Sequence, residues 1–169
     1  MRAAGDGKAW LGTMRSRGFT LVELLVTVAI IGVLALVAVP AAEVVMKRYR
    51  EAELRSALRE IRTGIDAYRK AADEGRVQRR ADETGYPRTL ESLVEGVDEA
   101  KSPQKRKIYF LRRIPRDPFA TDPKVPPAKT WGQRSYVSPP DEPKAGEDVF
   151  DVYSQSPDKG LNGVPYREW

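Results

Sequence analysis

"RGFTLVELLVTVAIIGVLALVAVP", Arg17 to Pro40, is the stretch that decides the architecture. Between Phe19 and Val39 the only charged residue is Glu23. As a helix rising ~1.5 Å per residue the run reaches about 31 Å, the hydrocarbon thickness of a bilayer. Arg15 and Arg17 precede it, Lys47 and Arg48 follow it, and Asp6 is the only acid ahead of it. That bias favours a cytoplasmic N-terminus and a translocated C-terminal part.

Glu23 is the anomaly. A carboxylate inside a spanning helix costs roughly 2.5 to 3.5 kcal/mol and usually has a cationic partner. No Lys or Arg lies within one turn C-terminal to it. The nearest candidate cation is the α-amino group that a cut between Gly18 and Phe19 would create, on the same chain or on an axially shifted copy. Two blander readings compete. One is a cleaved export signal ending at Val39-Pro40-Ala41, but the run exceeds the roughly 7 to 15 apolar residues of such a signal, which has no use for Glu23. The other is a plain anchor whose Glu23 snorkels to the interface.

The rest of the chain is soluble in character, with 31% charged residues and a mean hydropathy of −0.51. Its 169 residues allow one modest domain with appendages. The net charge is +5, but Arg2, Lys8, Arg15 and Arg17 against Asp6 put +3 of it ahead of Phe19, leaving +2. Most of the attraction for nucleic acid would leave with the leader. Cysteine and histidine are absent, which excludes thiolate and imidazole catalysis, Cys/His metal sites and disulfides. With no phosphate loop, Ser/Lys pair or close carboxylate pair in a fitting context, the chain reads as a non-enzyme.

Pro40 should kink the helix as it leaves the bilayer without ending it. Beyond it Leu54, Leu58, Ile61, Ile65, Tyr68 and Ala72 form one apolar stripe, opposite Arg50, Glu53, Arg59 and Arg62. Glu43/Lys47, Glu51/Arg55 and Asp66/Lys70 have the favourable i,i+4 order. Gly75 is a stop signal, so the helix should run from Phe19 to about Asp73. The stripe is too short for a coiled-coil seam and predicts packing on the chain's own sheet.

Residues 76–83 read as a loop. Tyr86 to Val94 predicts a short helix with Thr89 as N-cap, Leu90, Leu93 and Val94 inward, and Gly96 as its stop. Lys101 to Arg116 gathers cations around Tyr109 and Phe110. That pattern hints at nucleic acid, but Ile108, Phe110, Leu111 and Ile114 favour a structural segment with solvated charges, so nucleic-acid binding is disfavoured. Nine of the 13 prolines fall between Pro103 and Pro143, which predicts an ordered loop layer. Strands are expected at Trp131 to Val137 and Glu147 to Ser154, and a terminal strand or edge segment at Tyr166 to Trp169. A long helix on about three short antiparallel strands makes an α+β protein.

Arg17-Gly18-Phe19-Thr20-Leu21-Val22-Glu23-Leu24-Leu25, with Pro40 closing the apolar helix, resembles the leader signal of type IV pilins and pseudopilins. The resemblance implies cleavage between Gly18 and Phe19 by a prepilin peptidase, N-methylation of Phe19, and a role for Phe19 and Glu23 in assembly. It divides the chain into a leader (1–18), a transmembrane half-helix (19–40), an amphipathic half-helix (41–75) and a globular head (76–169). Tyr86-Pro87 with Leu90 and Leu93, then Ile114-Pro115-Arg116-Asp117-Pro118-Phe119, then Phe150-Asp151-Val152-Tyr153-Ser154 and Trp169, are similar to the major, G-type pseudopilin of type II secretion systems. Absent cysteines agree, since pilus subunits commonly close the C-terminal region with a disulfide.

That resemblance implies a type IV pilin-like fold, single-pass in the bacterial inner membrane with the head in the periplasm, polymerising into a filament that supports export across the outer membrane. Implied partners are further copies, other pseudopilins, the peptidase and an inner-membrane assembly platform. The family also places calcium in the loop before the last tryptophan, on a Ser, two Asp side chains and backbone carbonyls. Asp158 matches one Asp and Ser154 or Ser156 the Ser, but the second Asp is missing. Two alternatives share parts of the evidence: a type IV pilus or competence subunit, for which the Lys101 to Arg116 cations would have a use, and an exported soluble binding protein or hydrolase cut near Ala41.

Overall fold

The computed structural model describes residues 18–80, 82–104 and 106–169. All of the expected leader (1–18) except Gly18 lies outside them, as do Ala81 and Lys105. The described residues fall into two compact units, 18–42 and Glu43–Trp169.

A single helix, α1, covers Leu21–Asp73 and continues through Pro40. In the first unit its described side chains are exposed, and an 18-residue window with a mean hydropathy of 2.8 makes the helix long and apolar enough to cross a membrane. Exposed apolar surface extends into the second unit as well. Val44, Val45, Met46 and Tyr49 are 43, 49, 56 and 70% exposed, two turns beyond the bilayer-length run.

From Leu54 onward α1 is amphipathic, and the expected stripe is the core. Leu54, Leu58, Ile61 and Ile65 are buried against Leu90, Leu93, Leu111, Trp131, Val149, Val152 and Tyr166. Each fully buried aliphatic side chain stabilises the fold by about 1.5 to 3 kcal/mol. A smaller cluster of Ala71, Ala72 and Val77 takes up Val97 and Ile108, with Tyr68 and Phe110 packed against both clusters. The helix stops as its sequence predicts: Gly75 adopts φ +67°, its N–H bonds the Ala72 carbonyl at 3.0 Å and the Arg76 N–H bonds the Ala71 carbonyl at 2.8 Å. That pairing of bonds around a left-handed glycine satisfies carbonyls the helix would otherwise strand.

The segment after the loop is shorter than expected. Helix α2 spans Ser92–Glu95, with Glu91 at its N-cap, and Thr89 does not cap it; the Thr89 carbonyl accepts the Ser92 hydroxyl at 2.7 Å instead. Leu90 and Leu93 are fully buried and Gly96 ends the turn, as anticipated. Two antiparallel strand pairs follow, β1 (Val97–Asp98) with β2 (Lys107–Ile108), and β3 (Trp131–Arg134) with β4 (Asp151–Ser154). Register in the second pair sets Trp131 opposite Ser154 and Arg134 opposite Asp151.

The α+β class holds, with strand limits that differ from expectation for local reasons. β3 stops at Arg134 because the Ser135 hydroxyl and the Tyr136 N–H both turn to Asp148 Oδ1, at 2.6 and 3.0 Å. β4 starts late because the Val149 N–H bonds the Pro87 carbonyl at 2.8 Å. No strand forms at Tyr166–Trp169. Pairing is limited to one antiparallel bridge between Lys159 and Pro165, after which Tyr166–Glu168 winds into a 3-10 turn that buries the Tyr166 ring.

Candidate functional site

Gly18, Phe19 and Thr20 precede the helix in exposed, irregular backbone, and Phe19 is 80% exposed. Thr20 Oγ1 accepts the Glu23 N–H at 3.2 Å, and the Thr20 carbonyl accepts the Leu24 N–H at 3.1 Å. Thr20 is therefore the N-cap, and Glu23 stands at the third helical position. Thr-x-x-Glu is a capping-box pattern, a signal for the helix start that the sequence carries beside the charge of Glu23. At this position its negative charge also meets the positive end of the helix dipole. Glu23 is exposed, and no ion pair involves it among the described residues. Pro40 sits inside α1.

The proposed calcium residues are spread over different tasks. Ser154 is fully buried at the end of β4; its hydroxyl donates to Asp117 Oδ2 at 2.6 Å and accepts the Ser156 N–H at 3.1 Å. Ser156 Oγ accepts the Asp158 N–H at 3.3 Å, and the Asp158 carbonyl accepts the Tyr166 N–H at 3.1 Å. Asp158 itself is exposed, with exposed Lys159 next to it. With Ser154 committed to the interior, Ser156 and one carboxylate are left, whereas calcium takes six to eight oxygens. No group of three or more His, Cys, Asp or Glu side chains is poised for a metal among the described residues. The residues present do not fit the ion.

Asp117 is the buried residue around which this region is organised. Besides Ser154, it accepts the Phe119 N–H at 2.8 Å on Oδ1, while its own N–H reaches Thr130 Oγ1 at 3.1 Å. Trp131 Nε1 donates to the Pro115 carbonyl at 2.8 Å, and Phe119 stacks on Tyr166 with ring centres 4.2 Å apart. The motif Ile114 to Phe119 is thus a knot that joins the loop layer to β4.

Glu51 and Arg62 correct the surface assignment made for the helix. Glu51 does not pair with Arg55. It is buried, and Oε1 accepts the Leu161 N–H at 2.7 Å and the Tyr166 hydroxyl at 3.1 Å. Burial, and after it the bond to Glu51, pushes the Tyr166 phenol up to about 12. Arg62 is not on a free polar face: Nε bonds Asp151 Oδ1 at 2.8 Å, and Nη2 bonds the main-chain oxygens of Val152 and Trp169 at 3.2 and 2.7 Å. Arg55 lies 4.4 Å over the Trp169 ring.

The apolar residues of the Lys101 to Arg116 segment pack on the core as expected, while Arg112 and Arg113 stay exposed. Phe110 packs on Tyr68 at 5.2 Å, Lys101 and Lys107 reach the carbonyls of Glu74 and Glu95, and Arg116 bonds those of Asp122 and Val125.

Residues 13–39 match the family model for the prokaryotic N-terminal methylation motif. A relative from Dickeya chrysanthemi, type II secretion system core protein G, is 30% identical over 152 residues, covering 85% of this chain and 79% of its own. Proteins of the same description from Pectobacterium carotovorum subsp. carotovorum and Klebsiella pneumoniae are 29% and 27% identical, covering 72% and 80% of this chain and 73% and 93% of their own. No solved structure matches the chain.

Proposed function

Because the chain belongs to the G-type pseudopilins of type II secretion, structural proteins and not enzymes, we propose that it is processed, methylated and polymerised into a periplasmic filament that supports protein export across the outer membrane. A prepilin peptidase cuts between Gly18 and Phe19, and the new Phe19 amine is N-methylated. The mature chain waits in the bacterial inner membrane as a single-pass protein with its head in the periplasm, and enters the filament through the assembly platform with other copies and other pseudopilins.

The observation that carries this reading is the methylation motif over residues 13–39 running directly into the apolar first half of α1. In the filament the apolar half-helices would leave lipid and pack on one another. Glu23 of one subunit then meets the Phe19 amine of a neighbour. Desolvation offsets much of that attraction, so the pair would act on axial register more than on net stability.

N-terminal sequencing and intact mass of the native product test the proposal. A chain beginning at methylated Phe19 supports it. An intact leader, or a terminus near Ala41, overturns it and returns the anchor or the export-signal reading.

A further inference from the structure

The geometry points to a clasp of two α1 side chains, Glu51 and Arg62, that fastens Gly160–Trp169 to the helix without a bound metal ion. The two residues are separated by about 16 Å along α1, at ~1.5 Å per residue, and hold opposite ends of that segment. Glu51 Oε1 takes the Leu161 N–H at 2.7 Å near its start and the Tyr166 hydroxyl at 3.1 Å further on. Arg62 Nη2 takes the Trp169 main-chain oxygen at 2.7 Å, while its Nε–Asp151 bond, at 2.8 Å, secures the adjoining strand.

Glu51 is 6% exposed, and no Lys or Arg is in ion-pair range of it among the described residues. A carboxylate in that position needs donors, and charge-assisted bonds to an N–H and a phenol are strong ones. The segment supplies them. Three of its main-chain N–H groups are satisfied internally, Gly160 N–H by the Val164 carbonyl at 2.8 Å, Gly163 N–H by the Gly160 carbonyl at 2.9 Å and Val164 N–H by Asn162 Oδ1 at 3.1 Å, while the buried Trp169 Nε1 has no partner. The carbonyl of Asp158 is taken by Tyr166 N–H, and the Asp158 side chain faces solvent beside Lys159, a cation that would oppose a divalent ion.

Packing is as tight as the bonding. A Cβ built on Gly160 would lie 2.4 Å from Trp169 Cζ2, so only glycine lets the tryptophan close over the turn. Phe119 stacks on one face of the Tyr166 ring and Trp169 meets it edge-on at 5.0 Å. The oxygen cage that calcium would assemble is replaced by one carboxylate on α1. This inference does not depend on filament formation and stands or falls by itself.

Trypsin tests it on the full-length chain in detergent. Lys159, at the edge of the clasped segment, and Arg167, inside it, are exposed cleavage points, so release of peptides starting at Gly160 reports its opening. With calcium chloride or with EDTA, the wild-type chain should release them at the same rate. Glu51→Ala should raise that rate about tenfold in both buffers, as loss of an acceptor shared by two donors frees the segment locally. Tyr166→Phe keeps the ring, removes one of the two bonds and should raise it a few-fold, which preserves the test if Glu51→Ala does not accumulate. Faster wild-type cleavage in EDTA overturns the proposal, as does a wild-type rate in Tyr166→Phe.

Discussion

Ser154 Oγ donates to Asp117 Oδ2 at 2.6 Å across two residues that are 0 and 1% exposed, joining β4 to the loop layer 37 positions earlier in the chain. Neither group has water to fall back on. Asp117→Ala would strand the Ser154 hydroxyl and the Phe119 N–H together, and stranding buried donors costs about 1 to 3 kcal/mol each. A loss of 2 to 4 kcal/mol, roughly, is expected by chemical denaturation. Asp117→Asn, which keeps one acceptor oxygen, should lose less than Asp117→Ala; equal losses would argue against the bonding account.

Glu23→Leu should insert into the membrane at normal levels and yield few or misregistered filaments, scored by electron microscopy of sheared material. Because Glu23 also belongs to the first turn capped by Thr20, the effect needs a control. Thr20→Ala removes the cap, at a cost near 1 kcal/mol, but leaves the charge. If Thr20→Ala assembles as poorly as Glu23→Leu, helix initiation and not charge pairing is responsible.

Stability should fall at both extremes of pH. The Tyr166 phenol, ordinarily near 10, is raised to about 12. The folded state therefore holds a proton that the unfolded chain has released, and stability contributed below pH 10 is lost as pH rises toward 12, on the order of 2 kcal/mol. Tyr166→Phe should flatten that alkaline limb in a denaturation series. Asp148 behaves oppositely. Burial alone would raise its pKa, but bonds from Ser135, Thr84 and the Tyr136 N–H outweigh it and hold the carboxyl below its usual 3.8. Its contribution is complete above that value and is lost as pH falls through the lowered one.

Gly75→Ala should destabilise the fold by roughly 1 kcal/mol, because φ +67° strains any residue with a Cβ. Gly75→Asn should cost less, since Asn tolerates the left-handed region. Thermal midpoints of the two variants against wild type check the order.

Features set by local periodicity were readable in the sequence. The stripe Leu54 to Ala72, the stop at Gly75, the buried Leu90 and Leu93 and the cores of β3 and β4 all follow from spacing that a few consecutive residues display. Glu51 was assigned to Arg55 and Arg62 to solvent by the same local logic, and both assignments failed because their partners lie 110 to 115 and 89 to 107 positions away. An i,i+4 rule has no access to such distances. The four-residue pattern Thr20 to Glu23 is legible as a helix start from its spacing alone. The turn signal Gly160 to Gly163 predicts a strand or edge segment after it, and the chain goes no further than one bridge between Lys159 and Pro165 before it winds into the turn at Tyr166.

The exposed quartet Val44, Val45, Met46 and Tyr49 bears on how a soluble fragment would have to be cut. A fragment starting at Glu43 keeps all four in water with nothing to cover them, and greasy collars of that kind drive self-association. One starting at Arg50 sheds the collar yet retains Glu51, and so keeps the grip on the tail. The useful border between oily and wet halves of this subunit therefore falls nearly three turns later than the proline suggests.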